Sequence, residues 1–172
     1  MKPELRKAAL KRRLELDDNY LKCSSEIICC KLKKLQKKLN LKTLGLYYPI
    51  KNEIDVKELF KENLLVYINK DNLEFSKITS DFVKNNWGIY EVKNTKSSKP
   101  SAIIVPALLY NLSGYRLGYG KGYYDRYINS HPEILTIGVI LDEFLTKTHF
   151  EEAYDEKVDY IISEKRTIKI DD

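Results

Sequence analysis

The most informative part of this 172-residue chain is the run Gly114-Tyr115-Arg116-Leu117-Gly118-Tyr119-Gly120-Lys121-Gly122-Tyr123-Tyr124-Asp125-Arg126-Tyr127. It holds four of the seven glycines in the chain and five of its 13 tyrosines. An apolar run at 101–105 precedes it, and residues 123–128 have the pattern of a helix. A strand, a glycine-rich loop and a helix in this order are typical of a phosphate-binding site. Glycine lets the backbone approach an anion, and the helix N-terminus presents free N–H groups.

Two interpretations of this loop stay open on residue chemistry alone. In the first, Lys121 reaches an anion and Asp125 holds a Mg²⁺ ion that bridges phosphates. In the second, the loop is a tight structural turn. It has neither the Gly-Lys-Ser/Thr ending of a P-loop nor the Gly-x-Gly-x-x-Gly spacing of a dinucleotide-binding loop. The density of charge, with Arg116 and Arg126 in the same loop, favours the anion site.

Composition indicates a soluble globular protein. A length of 172 residues predicts one domain over 1–172, and 43% of the residues are hydrophobic and 32% charged. No apolar run has the length of a membrane span, and the N-terminus lacks the apolar segment of a signal peptide. We therefore expect a cytoplasmic protein without a membrane partner. The three cysteines form no Cys-x-x-Cys pair, which argues against a disulfide framework or a zinc site.

The net charge of +5 is unevenly distributed. Residues 1–42 hold 13 Lys/Arg and five Asp/Glu, whereas the remainder holds 17 and 20. Such asymmetry fits a nucleic-acid arm, a helix that meets an anionic small molecule, or solvated helix surfaces. Helical spacing predicts one helix over 3–16, with Lys2 and Arg6 on the same side, and a second that begins after Asp17 as N-cap. Most of these lysines are expected to be solvated, so no nucleic-acid partner is predicted.

The remaining pattern alternates between strands and helices. Strands are predicted at 43–48, 64–68, 73–78, 101–105 and 134–141, with a short helix at 56–61. A strand, a helix and a strand at this spacing predict a βαβ unit and a partly parallel sheet, hence the α/β class. His131 and His149 belong to no metal or nucleophile constellation.

Residues 116–125, Arg-Leu-Gly-Tyr-Gly-Lys-Gly-Tyr-Tyr-Asp, closely resemble the signature of the 5-formyltetrahydrofolate cyclo-ligase family, Arg-Leu-Gly-x-Gly-x-Gly-Tyr-Tyr-Asp. Two softer segments agree: 47–55 is similar to the family's Tyr-x-Pro-x-x-x-Glu-Ile-Asp, and 157–162 to its Val-Asp-x-Ile/Val. The segment at Trp87 also resembles a family segment, and Trp87 and Tyr90 are interpreted as pocket walls. The chain departs from the family at Tyr90, Val92, Ala107 and Tyr110-Asn111.

The resemblance implies a three-layer α/β/α fold, with a mainly parallel twisted sheet and helices on both faces. It implies ATP- and Mg²⁺-dependent cyclisation of 5-formyltetrahydrofolate to 5,10-methenyltetrahydrofolate, with release of ADP and phosphate. The protein is expected to act on small molecules as a monomer. Alternatives are an enzyme for another pterin or phosphorylated metabolite, a nucleic-acid-binding module, and a paralogue that binds both ligands but turns over poorly.

The resemblance also assigns roles by position. The expected catalytic residues are Lys121 and Arg116, and the expected Mg²⁺ ligands are Asp125 and Asp159. The expected folate contacts are Tyr48, Glu53, Tyr119 and Tyr123. The expected ATP contacts are Lys2, Arg6, Arg116, Leu117, Gly118, Tyr119, Gly120, Lys121, Gly122, Tyr123 and Tyr124.

Overall fold

The computed structural model describes residues 1–171. Two helices open the chain, α1 (Lys2–Leu14) and α2 (Asp18–Lys38), close to the predicted bounds. Asp17 caps α2 as predicted, since its carboxylate accepts a hydrogen bond of 2.9 Å from the backbone N–H of Tyr20. Pro3 lies in the first turn of α1, where no backbone N–H donor is needed.

A seven-stranded sheet forms the centre of the fold. The strands of the protein, in chain order, are β1 (Leu44–Leu46), β2 (Leu64–Asn69), β3 (Asn72–Lys77), β4 (Phe82–Lys84), β5 (Tyr90–Val92), β6 (Ala102–Pro106), β7 (Leu109–Asn111), β8 (Arg116–Leu117), β9 (Leu135–Val139), β10 (Leu145–Thr146), β11 (Tyr160–Ile162) and β12 (Thr167–Lys169). The large sheet has the order β12-β11-β9-β6-β1-β2-β3. Its four inner pairings are parallel and its two edge pairings antiparallel, which confirms the predicted α/β class.

The middle of this sheet is fully buried. Four successive residues of β6, Ala102, Ile103, Ile104 and Val105, have no exposed surface. A parallel strand covered on both faces reads as a continuous apolar run, which is why its position could be predicted from the sequence.

Two glycines let aromatic rings approach the sheet closely. A Cβ atom on Gly45 would lie 2.5 Å from the ring of Phe75, and one on Gly138 would lie 2.5 Å from Cζ of Tyr110. Phe75 in turn packs edge-on against Tyr127 of helix α3 (Tyr123–Ser130), with the ring centres 5.4 Å apart. Because Gly45 and Gly138 have no side chain, the rings of Phe75 and Tyr110 fit against the sheet, and β7 and α3 can pack on it.

The predicted helix at 56–61 is wrong: the segment forms a single 3₁₀ turn, Lys57–Leu59. Side chains tie this connection down at both ends. The Asp55 carboxylate accepts from the N–H of Lys57, and the Asn63 side chain donates to the carbonyl of Leu59 while it accepts from the N–H of Leu44. These local hydrogen bonds compete with a longer helix.

The strand at 101–105 does not lead directly into the glycine-rich loop, as the sequence suggested. An antiparallel hairpin, β7 and β8, lies between them, and β10 joins it to complete a three-stranded sheet. The Asn111 side chain stabilises its turn by accepting hydrogen bonds from the N–H groups of Ser113 and Tyr115. Strands of two or three residues carry too little pattern to be recognised in a sequence.

The helices found in residues 1–171 include none with both the length and the apolarity that a membrane span requires.

Candidate functional site

The glycine-rich loop, residues 118–122, connects β8 to the N-terminus of α3. Gly120 and Gly122 have φ angles of +93° and +67°, a region that favours glycine. Two loop carbonyls are bound from outside: that of Gly118 accepts from Nε of Arg6 and that of Lys121 from Nη1 of Arg126, both at 2.9 Å. The backbone N–H groups of 119–122 take part in no hydrogen bond within the described chain. The loop thus presents free N–H groups at a helix N-terminus, as an anion-binding site requires.

Five cations lie around this loop, and they differ in availability: Lys2, Arg6, Arg116, Lys121 and Arg126. Lys2 is paired with Asp155 at 2.6 Å and with Glu152 at 3.1 Å. Arg116 is likewise neutralised by a carboxylate. Arg6 lies against the loop, its Cζ atom 3.5 Å from where a Cβ of Gly120 would stand, and it forms no ion pair with residues 1–171.

Lys121 is exposed between Gly120 and Gly122, and its ammonium group has no ion-pair partner among the described residues. Arg6, Lys121 and Arg126, which donates to the carbonyls of Lys121 and Asp71, are therefore the loop cations without a carboxylate partner among residues 1–171.

Arg116 is buried and holds three segments together. Its guanidinium contacts the Asp125 carboxylate at 2.8 Å and the carbonyl of Glu156 at 3.2 Å. Asp125 also accepts a hydrogen bond of 3.1 Å from the N–H of Glu156. The guanidinium carbon lies 5.7 Å from the ring centre of Tyr124. In this arrangement Arg116 stabilises the loop and the first turn of α3.

The carboxylate of Asp159 is bound by a different part of the chain from that of Asp125. Its carboxylate accepts hydrogen bonds of 2.7 and 2.8 Å from the N–H and hydroxyl of Thr136, at the start of β9. The register of β11 on β9 places it there, and the chain passes Asp125 earlier, at Glu156. No group of three or more potential metal-ligating side chains occurs in residues 1–171. Asp125 and Asp159 thus have different hydrogen-bond partners, and their role as Mg²⁺ ligands stays a prediction.

Glu53 is buried, with 7% of its surface exposed. One carboxylate oxygen accepts a 3.0 Å hydrogen bond from the N–H of Ile50, and the N–H of Glu53 donates back to the carbonyl of Ile50. Lys51 and Asn52 between them have φ angles of +47° and +56°. Burial raises the pKa of Glu53 to about 7, although the Ile50 N–H and the charges of Arg13 and Lys51 lower it.

Tyr119 brings the glycine-rich loop next to Glu53. Although Tyr119 is 40% exposed, partial burial raises the pKa of its phenol to about 12; the carboxylate of Glu53 adds to this rise, and Arg13 opposes it. The Lys51 ammonium lies 5.1 Å from the Tyr119 ring centre. Burial and the charge of Glu53 also raise the pKa of Tyr124. The predicted ATP loop and the carboxylate predicted to contact folate therefore lie side by side.

The remaining predicted aromatic residues meet at the β4–β5 hairpin. The ring centre of Tyr48 lies 4.9 Å from that of Tyr90 and 6.0 Å from that of Phe82. At the hairpin tip, half-exposed Trp87 meets Tyr123 edge-on, with ring centres 6.1 Å apart. One hairpin thus contacts two of the four predicted folate contacts, Tyr48 and Tyr123.

Arg13 belongs to this site and was missed in the sequence. It is buried, with 3% exposed, and its Nη2 donates to the carbonyls of Ala107 and Leu108. The Asn52 side chain donates to the Arg13 carbonyl at 3.1 Å. A signal was present: Arg13 follows Ala9 by four residues and precedes Leu16 by three, so it stands within the apolar stripe of α1.

Comparison with known proteins identifies the family of this chain. The family model described as the 5-formyltetrahydrofolate cyclo-ligase family matches residues 1–164. A 5-formyltetrahydrofolate cyclo-ligase from Mycoplasma genitalium is 34% identical over 169 residues, which cover 94% of this chain and 96% of that protein.

Two solved structures share the fold. The 5,10-methenyltetrahydrofolate synthetase of Aquifex aeolicus superposes with a TM-score of 0.86 at 30% identity, over 99% of this chain and 93% of that one. The synthetase of Mycoplasma pneumoniae superposes with a TM-score of 0.77 at 26% identity, over 95% of this chain and 98% of that one. On its sequence signature, its fold and the extent of these matches, this chain belongs to the 5-formyltetrahydrofolate cyclo-ligase family.

Proposed function

We propose that this enzyme uses ATP to cyclise 5-formyltetrahydrofolate to 5,10-methenyltetrahydrofolate, releasing ADP and phosphate. The observation that carries the proposal is the position of Tyr119, a residue of the glycine-rich loop, 5.1 Å from the Lys51 ammonium and near enough to Glu53 for their charges to interact. An anion-binding loop and a buried carboxylate meet there, so a phosphoryl donor and a pterin could lie next to each other. The intact family signature at 116–125 supports the same conclusion.

The chemical obstacle is that an amide-like formyl oxygen is a poor leaving group. In the proposed reaction this oxygen attacks the γ-phosphorus of ATP and ADP departs. The N10 nitrogen then attacks the formyl carbon and loses its proton, and the carbon–oxygen bond breaks with release of phosphate. Such a transfer depends mainly on positioning and on charge stabilisation.

The loop supplies both of these. The free N–H groups of 119–122 would bind phosphate oxygens, and Lys121 and Arg6 would neutralise the charge that moves with the phosphoryl group. Arg116 would act as support, since it is occupied by Asp125 and the Glu156 carbonyl. Mg²⁺, for which Asp125 and Asp159 stay the predicted ligands, would add to the charge stabilisation that the protein's own cations and N–H groups supply.

Glu53 would orient the pterin. The amino and ring N–H groups of a pterin are hydrogen-bond donors, and an ionised carboxylate accepts from both. Its hydrogen bonds with Ile50 hold the carboxylate in one orientation beside Tyr119. The neighbouring rings of Tyr48 and Tyr123 would line the rest of the folate site.

The test is a near-ultraviolet absorbance assay for methenyltetrahydrofolate, with 5-formyltetrahydrofolate and Mg²⁺ in the presence and absence of ATP. We expect an ATP-dependent rise in absorbance. Lys121→Ala should lower kcat by about 100-fold or more, as the loss of a charge-stabilising group does. Lys34→Ala, which removes an exposed lysine on α2, serves as the matched control and should behave like the wild type.

Wild-type turnover in a folded Lys121→Ala variant would contradict the assigned role of the loop. Absence of any absorbance change, with ATP and folate both bound, would instead point to another pterin substrate.

A further inference from the structure

Arg13 carries a buried charge that its own contacts leave incompletely satisfied. Its Nη2 atom is bound to the carbonyls of Ala107 and Leu108, but Nη1 has no hydrogen-bond partner in the part of the chain described here. A buried donor without a partner is costly, more so when it carries charge. Simple packing does not require an arginine on the apolar stripe of α1.

The charge of this guanidinium acts on the carboxylate of Glu53, with which it shares a cavity. Arg13, Asn52, Glu53 and Phe144 are among the residues that line one small cavity, which has room for about one water molecule. The guanidinium carbon lies 5.4 Å from the Phe144 ring centre. The two opposite charges therefore act on each other across a site with little water to screen them.

We propose that Arg13 is a positioning residue that keeps Glu53 ionised and correctly oriented for the folate. The proposal rests on the function proposed above, in which the Glu53 carboxylate accepts hydrogen bonds from the pterin. Arg13 itself touches neither substrate in this account; it acts through Glu53.

Five charged or titratable groups from different parts of the fold act on Glu53. These groups are Arg13 from α1, Tyr47 directly after β1, Lys51 from the adjoining turn, Tyr119 from the glycine-rich loop and Tyr124 from α3. The three tyrosines are neutral near pH 7, since burial raises the pKa of each. Arg13 is the buried cation of the set, whereas Lys51 is exposed to solvent and more strongly screened.

Loss of the Arg13 charge would raise the pKa of Glu53 further above its present value near 7. The carboxyl group would then be protonated at neutral pH and could accept fewer hydrogen bonds from the pterin. Folate binding should weaken at and below neutral pH, while ATP binding should not change.

The experiment is calorimetric titration of 5-formyltetrahydrofolate into the full-length protein between pH 5.5 and 9. In the wild type, the affinity for 5-formyltetrahydrofolate should rise with pH, and the midpoint of this rise should follow the ionisation of Glu53. In Arg13→Gln, which keeps a hydrogen-bond donor without the charge, the midpoint should move up by about one pH unit. Affinity below the midpoint should fall about tenfold. Arg13→Lys should keep the wild-type midpoint. The matched control is Arg12→Gln, because Arg12 is exposed and paired with Glu143, and it should change nothing.

An unchanged midpoint in folded Arg13→Gln would overturn the proposal, as would a loss of affinity equal at every pH, which a merely structural arginine would cause. If Arg13→Gln does not fold, Arg13→Lys is the deciding variant. A pH midpoint of folate affinity displaced by a full unit in Arg13→Lys would show that the positive charge is not what keeps Glu53 ionised. Glu53→Gln distinguishes a failure of the role proposed for Arg13 from a failure of the function proposed for Glu53. If it binds folate like the wild type with the same pH profile, the function proposed for Glu53 fails, whatever Arg13 does.

Discussion

Replacing Glu53 by glutamine should make the protein less dependent on pH for its stability. The free-energy balance follows from the pKa of Glu53, about 7 when folded against an ordinary value of 4.5. Between these two values the folded state binds more protons than the unfolded state, so stability falls as pH rises. From pH 5 to pH 8 this linkage removes about 2.5 kcal/mol from the wild type. Glutamine keeps an oxygen that can accept from the Ile50 N–H but cannot ionise.

The assay is urea unfolding of the wild type and of Glu53→Gln at pH 5, 6, 7 and 8. We expect the difference in free energy of unfolding, variant minus wild type, to grow by about 2.5 kcal/mol in favour of the variant across this range. Most of the change should occur below pH 7, where the folded and unfolded proton counts differ. Glu26→Gln, at an exposed position of α2, is the matched control and should show no such growth.

A difference that stays constant within about 0.5 kcal/mol from pH 5 to pH 8 would refute the reasoning. It would mean that Glu53 ionises as readily in the folded chain as in the unfolded one, and that the site does not constrain its charge. The same variant should bind folate more weakly, so the stability would be gained at the expense of function.

Three further substitutions test other parts of the account. Gly120→Ala forces a side chain onto φ +93° and should weaken ADP binding by about 1–2 kcal/mol in calorimetry while folate affinity is kept. Gly138→Ala places a Cβ 2.5 Å from Tyr110 and should lower the free energy of unfolding by about 1–3 kcal/mol; wild-type stability would contradict the described packing. Arg166 lowers the pKa of Asp142 to about 2, which contributes stability above pH 3.8 that is lost as pH falls towards 2. Asp142→Asn should therefore cost about 1–2 kcal/mol in urea unfolding at pH 7, and this cost should shrink in acid.

The elements that the sequence predicted well are those whose cause is local. Asp17 as a helix cap, the buried strand β6 and the glycine-rich loop each depend on a residue type or a short pattern that a reader can recognise. The same reasoning failed at 56–61, where the side chain of Asn63 decides the backbone through contacts with Leu44 and Leu59.

The geometry of the site was harder to predict from the sequence, because it depends on contacts between residues that are distant in the chain. Spacing in the chain carries no information on what faces a side chain across the fold. Asp159 meets Thr136 because of the register of β11 on β9, and Arg13 meets the Glu53 cavity because α1 packs across the ends of distant segments. Neither partner lies within twenty residues of its counterpart.

The attachment of α1 to the glycine-rich loop also bears on how the protein acquires its activity. Arg6 contacts a carbonyl 112 residues further along the chain, and Lys2 pairs with a carboxylate 153 residues away. Contacts of such high sequence separation form late, because the entropy of closing long loops must be overcome first. A fragment that ends before Glu152 would carry every residue of the signature at 116–125 and still lack both partners of Lys2. The protein therefore becomes able to bind an anion at the loop only after the first and last thirds of the chain are in contact.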